Sequence, residues 1–201
     1  MDLGLRHRPI WIATSNSSLS LEIARTCLEE GALVGLFGPI EGGSLRKLKL
    51  RHGPRVWAAE PTGSHKQTDA LFHAMRWAGA PFGVVAALSQ TDDELAALVC
   101  DLQPSGAVVL FKALRSDPSG PNAHWAELRE ERHSWLAALN RTVRVSVIGL
   151  SSGPSVALDG GGGRNDDLPK PNGLPALVTF LLGVGPGQLA HVDEVGAIHL
   201  G

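Results

Sequence analysis

The chain of 201 residues contains no tyrosine at all, and only 5% of it is aromatic. No phenol can take part in whatever chemistry it performs. Cysteine is almost as scarce. Cys27 and Cys100 are the whole complement, and both fall within amphipathic helical patterns. That excludes a disulfide framework and predicts two buried, reduced thiols. Charge of one sign is lacking as well: 18 Lys and Arg face 20 Asp and Glu, for a net charge of −2. Without a basic footprint, nucleic acid is not an expected partner. Long hydrophobic runs are missing too. The apolar run after Arg6 and Arg8, Pro9 to Ala13, stops at Thr14, short of the apolar region of a signal peptide. No stretch approaches the ~20 apolar residues of a membrane span. A soluble, cytoplasmic protein with no membrane partner is expected. Eight histidines are present, but no CxxC or HxxxH spacing, and His191 with Asp193 offers only two weak ligands. No metal site is expected.

What remains is a folding composition, 43% apolar and 19% charged, with 24 glycines. A chain of this length buries roughly 70% of its unfolded surface, and residues 1–201 are read as one domain. Strand and helix patterns alternate throughout. Ile10 to Ala13 reads as a buried strand, and Ile23, Ala24, Cys27 and Leu28 as the inner face of a helix closed by Gly31. Leu33 to Phe37 is a strand, Leu45 to Leu50 a short basic helix and Arg55 to Ala59 a strand. Leu71, Met75 and Ala78 form a helical stripe, followed by a strand from Phe82 to Leu88. Thr91 with Glu94 fits a capping box opening a helix with Leu95, Leu98 and Val99. Ala107 to Phe111 is a strand, Trp125 to Leu139 a helix and Val143 to Leu150 another strand. After a Gly/Pro-rich loop from Ser151 to Gly173 come an apolar helix, Leu174 to Val184, and a last strand, Val195 to Leu200. Six alternations predict an α/β fold, a Rossmann-like doubly wound parallel sheet of about seven strands in three α/β/α layers.

Several segments carry a resemblance. Glu30-Gly31-Ala32-Leu33-Val34, Asn140-Arg141-Thr142-Val143-Arg144-Val145, and the helix and glycine-bounded strand of Leu174 to Gly201 follow one another in order. In this order the chain resembles the short-chain dehydrogenase/reductase family over nearly its whole length. The resemblance implies a nicotinamide cofactor, NAD(P), on a TGxxxGxG turn, where glycines admit a pyrophosphate to a helix N-terminus. Here that turn reads Thr14-Ser15-Asn16-Ser17-Ser18-Leu19-Ser20-Leu21. Thr14 is kept, while Ser15, Leu19 and Leu21 replace the glycines and place side chains where the cofactor would pack. Pro39 stands at the ribose-reading position, and Glu60 where an Asp would meet adenine. Ala86-Ala87-Leu88-Ser89 replaces the family's Asn-Asn-Ala-Gly. Thr14, Asn16 and Glu60 are the vestigial cofactor positions, and no cofactor is expected unless that matching fails.

The resemblance also implies a tyrosine acid, a lysine and a serine. The matching positions are Ala113 for the serine and, near the other two, Gly120 and His124. His124 is the one catalytic candidate, as a neutral imidazole able to act as a base near pH 7. Its bland alternative is a solvated helix-start histidine. The serine-rich turn, likewise, can hold a single anion or merely cap its helix, and capping is favoured. The basic run Arg46, Lys47, Lys49, Arg51 and Arg55 reads as a solvated face, and Gly160 to Gly163 as a mobile loop at the family's substrate lid.

The apolar helix speaks most directly to function. Leu174, Leu177, Phe180 and Leu181 surround it with no charge between Lys170 and Asp193, and members of the resembled family pair through this helix and the last strand. These four residues are the expected interface, with Trp125, Trp135 and Leu139 as a second candidate. The expected function is a degenerate, non-catalytic subunit that forms a homo-oligomer or pairs with a catalytic paralogue. Two alternatives stay open. One is a non-redox enzyme (isomerase, dehydratase or cyclase) using His124, Lys112 or Asp117; the other is an atypical NAD(P)-dependent oxidoreductase.

Overall fold

The computed structural model describes residues 3–14, 16–38, 40–59, 66–88, 92–114, 121–139, 143–151, 173–183, 187–192 and 197–201. Ser15, Pro39, Glu60, Ser89, Thr91, Asp117, Gly120, Asp193, residues 140–142 and the glycine run at 160–163 lie outside them.

Apolar runs with β-branched residues become the strands of one sheet, the central ones buried on both faces, as a helix-covered parallel sheet demands. They are β1 (Pro9–Ala13), β2 (Leu33–Phe37), β3 (Val56–Ala58), β4 (Gly83–Ala87), β5 (Ala107–Leu114), β6 (Arg144–Ser151), β7 (Leu189–Val192) and β8 (Ile198–Leu200). Helices α1 (Ser17–Glu29), α2 (Gly42–His52), α3 (Lys66–Ala78), α4 (Asp92–Val99), α5 (Pro121–Leu139) and α6 (Leu174–Gly183) connect them. The sheet order is β3-β2-β1-β4-β5-β6-β7-β8. All neighbouring pairs are parallel except β7 with β8. The order reverses between β1 and β4, where Ile10 stands beside Gly83 and Ala13 beside Ala86. In such sheets ligands bind outside the carboxyl ends of the strands at this switch point.

The sheet has eight strands where the sequence pattern predicts about seven. The additional one is β7, four residues including His191, too short and mixed to register as an apolar run. The final strand is also shorter than predicted, and antiparallel.

Alternating side chains feed two cores. Ile10, Ile12, Val85, Val109 and Ile148 meet α1, α2 and α6 on one face. Trp11, Ala13, Val84, Val108, Leu110 and Val147 meet α3, α4 and α5 on the other. Gly83 stands where a Cβ would come within 2.7 Å of Leu182 Cδ2 and 2.8 Å of Ile10 Cδ1, so its bareness lets α6 lie close to the sheet. Gly31 ends α1 at φ +86°, the left-handed conformation that glycine adopts at least cost. The cysteines part company. Cys27 is buried against Thr179 of α6, at 3.7 Å, and burial pushes its thiol up to about 12. Cys100 just follows α4 and is exposed, because the helical stripe that would have buried it ends at Val99.

Candidate functional site

The switch-point turn is built by α1 from its first residues. Asn16 caps the helix, its Oδ1 accepting the Leu19 N–H at 2.9 Å. Thr14 donates its hydroxyl proton to the Asn16 carbonyl at 3.1 Å and lies 2.6 Å from Ser20 Oγ. A hydroxyl has one proton to give. With that of Thr14 committed to Asn16, Ser20 is the donor to Thr14. The Thr14 and Ser20 hydroxyls are thus spent on each other and on the Asn16 backbone, the Asn16 side chain on the Leu19 amide, and Thr14, Asn16 and Ser20 are only 5%, 9% and 2% exposed.

Thr14, Asn16 and Ser20 close this network at the turn, and the leucine side chains stand outside it. Leu19 and Leu21 both pack against the core beneath α1, and Leu21 lines a cavity between α1 and α2. The residues do not fit a pyrophosphate. Asn16 already occupies one of the amides that would face it, and the hydroxyls point to each other. Of the vestigial positions the structure therefore brings Thr14 and Asn16 together; Glu60 lies outside the described residues.

His124 sits half-buried in the first turn of α5. The charged contacts of α5 centre on Lys112 of β5, whose Nζ donates to Glu131 Oε2 at 2.8 Å and lies 3.2 Å from Glu127 Oε1. Trp135 Nε1 donates to the other oxygen of Glu131 at 3.2 Å. Burial alone would lower the Lys112 value, but the hydrogen bonds and charges of Glu131 and Glu127 outweigh it and hold the ammonium above its ordinary value. Lys112 is a clasp between sheet and helix. Ala113, at the serine position, is exposed and carries no hydroxyl.

The apolar helix α6 divides the expected interface in two. Leu174 and Leu181 are each 1% exposed, spent on the molecule's own core together with Val178 and Leu182. They leave Leu177 and Phe180, half-buried, as the part of the four that keeps surface. Arg144 ties down the end of the helix, donating to the Leu181 carbonyl at 3.4 Å and the Leu182 carbonyl at 2.9 Å. On α5, Trp125, Trp135 and Leu139 pack against the second core.

Sequence reasoning missed His52. The basic run looked like one solvated face, yet Leu48 and His52, one turn apart, are both buried, and Arg55 donates inward to the Leu28 carbonyl at 2.9 Å. The four-residue spacing of Leu48 and His52 was the available signal. Among the described residues no three His, Cys, Asp or Glu side chains group as metal ligands. No helix there is long and apolar enough to cross a membrane.

No family model matches the chain, and no curated protein matches it. Solved structures do. A doubly substituted short-chain dehydrogenase/reductase from Serratia marcescens aligns with a TM-score of 0.66 at 13% identity, covering 96% of this chain and 100% of the other. A short-chain dehydrogenase/reductase from Brucella melitensis, described as a glucose/ribitol dehydrogenase, gives 0.66 at 14%, covering 99% and 100%. A dehydrogenase/reductase from Sinorhizobium meliloti gives 0.65 at 15%, covering 97% of each chain. Strand order, helix layers and near-complete coverage agree, and the chain has the fold of the short-chain dehydrogenases/reductases.

Proposed function

We propose that this chain is a non-catalytic subunit with a short-chain dehydrogenase/reductase fold, one domain over residues 1–201, acting in the cytoplasm. It pairs with itself or with an active reductase paralogue. The observation that carries this reading is the self-satisfied turn at the switch point, where Thr14, Asn16 and Ser20 bond to one another. Bound dinucleotide would have to break that network in a buried setting, where an unmade hydrogen bond costs about 1–3 kcal/mol. The absence of tyrosine from the chain supports the same conclusion for the acid of the resembled family. The rival reading of a non-redox enzyme is weakened at Lys112, because an ammonium clasped by two carboxylates is a poor base at neutral pH.

The test is calorimetric titration of the purified chain with NADPH and NADH, alone and then with a co-encoded reductase. No binding by the chain alone up to millimolar cofactor is expected, with binding appearing only when the reductase is present. Submillimolar binding by the isolated chain would overturn the proposal and restore an oxidoreductase.

A further inference from the structure

Strand β8 returns antiparallel along β7, and its register sets two like residues directly opposite one another, His191 and His199. They are eight positions apart in the chain, beyond the short spacings by which metal ligands are recognised in a sequence. Register brings together what spacing kept apart.

Residues directly opposite on antiparallel strands share a face of the sheet, with Cβ atoms about 4.5–5.5 Å apart. The neighbours fix which face this is. Ala190 and Val192 belong to the first core, and Leu189 to the second, under α5. Positions 191 and 199 therefore lie on the α5 side. Gly201, two residues beyond His199, stands beside Trp125 of α5, as that side requires. The sheet order ends at β8, and His199 is exposed there. An ion in solution can reach the pair from this outer member.

Sheet stability does not by itself call for such a pair. Stabilising cross-strand partners are aromatic and β-branched groups or opposite charges, whereas two imidazoles repel once protonated. Neutral imidazole is, by contrast, the commonest metal ligand. It suits zinc, copper and nickel, not the oxygen-seeking magnesium and calcium.

We propose that His191 and His199 form a two-histidine site for a divalent transition-metal ion, clipping β8 to β7. With Zn–N bonds of about 2.0–2.1 Å, two rings from opposite positions can meet on one ion, and water completes its coordination. β8 has only three residues, at the short limit for a strand. An ion bridging it to β7 would hold the last edge of the sheet. The site is independent of the non-catalytic reading and would stand if that reading fell.

The test titrates the full chain with Zn²⁺, Cu²⁺ and Mg²⁺ by calorimetry and follows the His199 ring by NMR. One Zn²⁺ per chain is expected, with Cu²⁺ binding more tightly and Mg²⁺ not at all. Zn²⁺ should shift the His199 ring signals. It should also raise the thermal midpoint, because an ion held only by the folded chain stabilises it. His199→Ala alters an exposed side chain and leaves both cores alone. It should weaken Zn²⁺ binding by about tenfold or more and abolish the rise in midpoint; His191→Ala should do the same. His73→Ala, on α3, should change neither. No Zn²⁺ binding at submillimolar concentration would overturn the proposal. So would affinity unchanged in His199→Ala, or lost in His73→Ala. Should His191→Ala fail to fold, His199→Ala decides.

Discussion

At the scale of the residue, the protein turns on where a few protons and lone pairs go. Asn16 is the cap of α1 and, on the proposed non-catalytic reading, a barrier as well, because the amide it satisfies is one that a bound phosphate would need. Asn16→Ala should therefore do two separable things. Loss of the cap should cost about 1 kcal/mol of stability, as caps typically do, read as a lower urea midpoint with an unchanged slope. It should not confer cofactor binding, because Thr14 and Ser20 remain bonded to each other. The identity of these residues was legible in the sequence, as a serine-rich turn that caps a helix. Their closure on one another was not, since the partner of Thr14 lies six positions on and only a helical turn brings it back. The same limit applied to Leu19 and Leu21. Spacing put them at glycine positions, but only the packing of α1 shows that both lean on the core.

At the scale of the element, polar side chains fasten helices to the sheet from outside the apolar core. Arg144 reaches from β6 to the last carbonyls of α6, groups that a helix cannot satisfy itself. Its guanidinium also stands 6.0 Å from the Phe82 ring, with that of Arg8 at 4.7 Å. Lys112 reaches from β5 to Glu127 and Glu131 of α5. Because folding raises the Lys112 value, the folded state binds this proton more tightly than the unfolded chain does. Its contribution is complete below the unfolded value of about 10.5 and is lost as pH climbs through the folded one. Stability measured by urea melts should fall across that alkaline window in the parent protein. In Lys112→Met the fall should be shallower; an identical slope would mean the clasp contributes nothing. The sequence shows each element's periodicity but no partner for Lys112, which lies 19 positions from Glu131. β7 escaped for another reason: Leu189 to Val192 gives too few residues for alternation to emerge.

At the scale of the whole molecule, the doubly wound layout was readable because buried parallel strands need short continuous apolar runs, and six of them alternate with helices. The proposed pairing was less readable, since it depends on which apolar surface the fold leaves over. Leu174 and Leu181 seemed as available as Leu177 and Phe180 until the first core claimed them. The remainder is modest, and a stable pairing surface takes about 800 Å² per partner, more than two half-buried side chains supply. Any interface must extend to the neighbouring edge strand, where β8 ends the sheet order and Leu200 is 62% exposed. Edge strands with exposed apolar side chains are templates for another chain. Leu177→Glu with Phe180→Glu should therefore dissolve the pair, halving the mass in sedimentation equilibrium while circular dichroism and the thermal midpoint change little, because neither side chain is fully buried. Leu174→Glu makes the opposite control: a charge forced into the core should unfold the protein whether or not a partner is present. If the parent chain sediments as a monomer and recovers no reductase on co-expression, this surface does not pair. The self-bonded turn would then stand on a chain with no assembly to support.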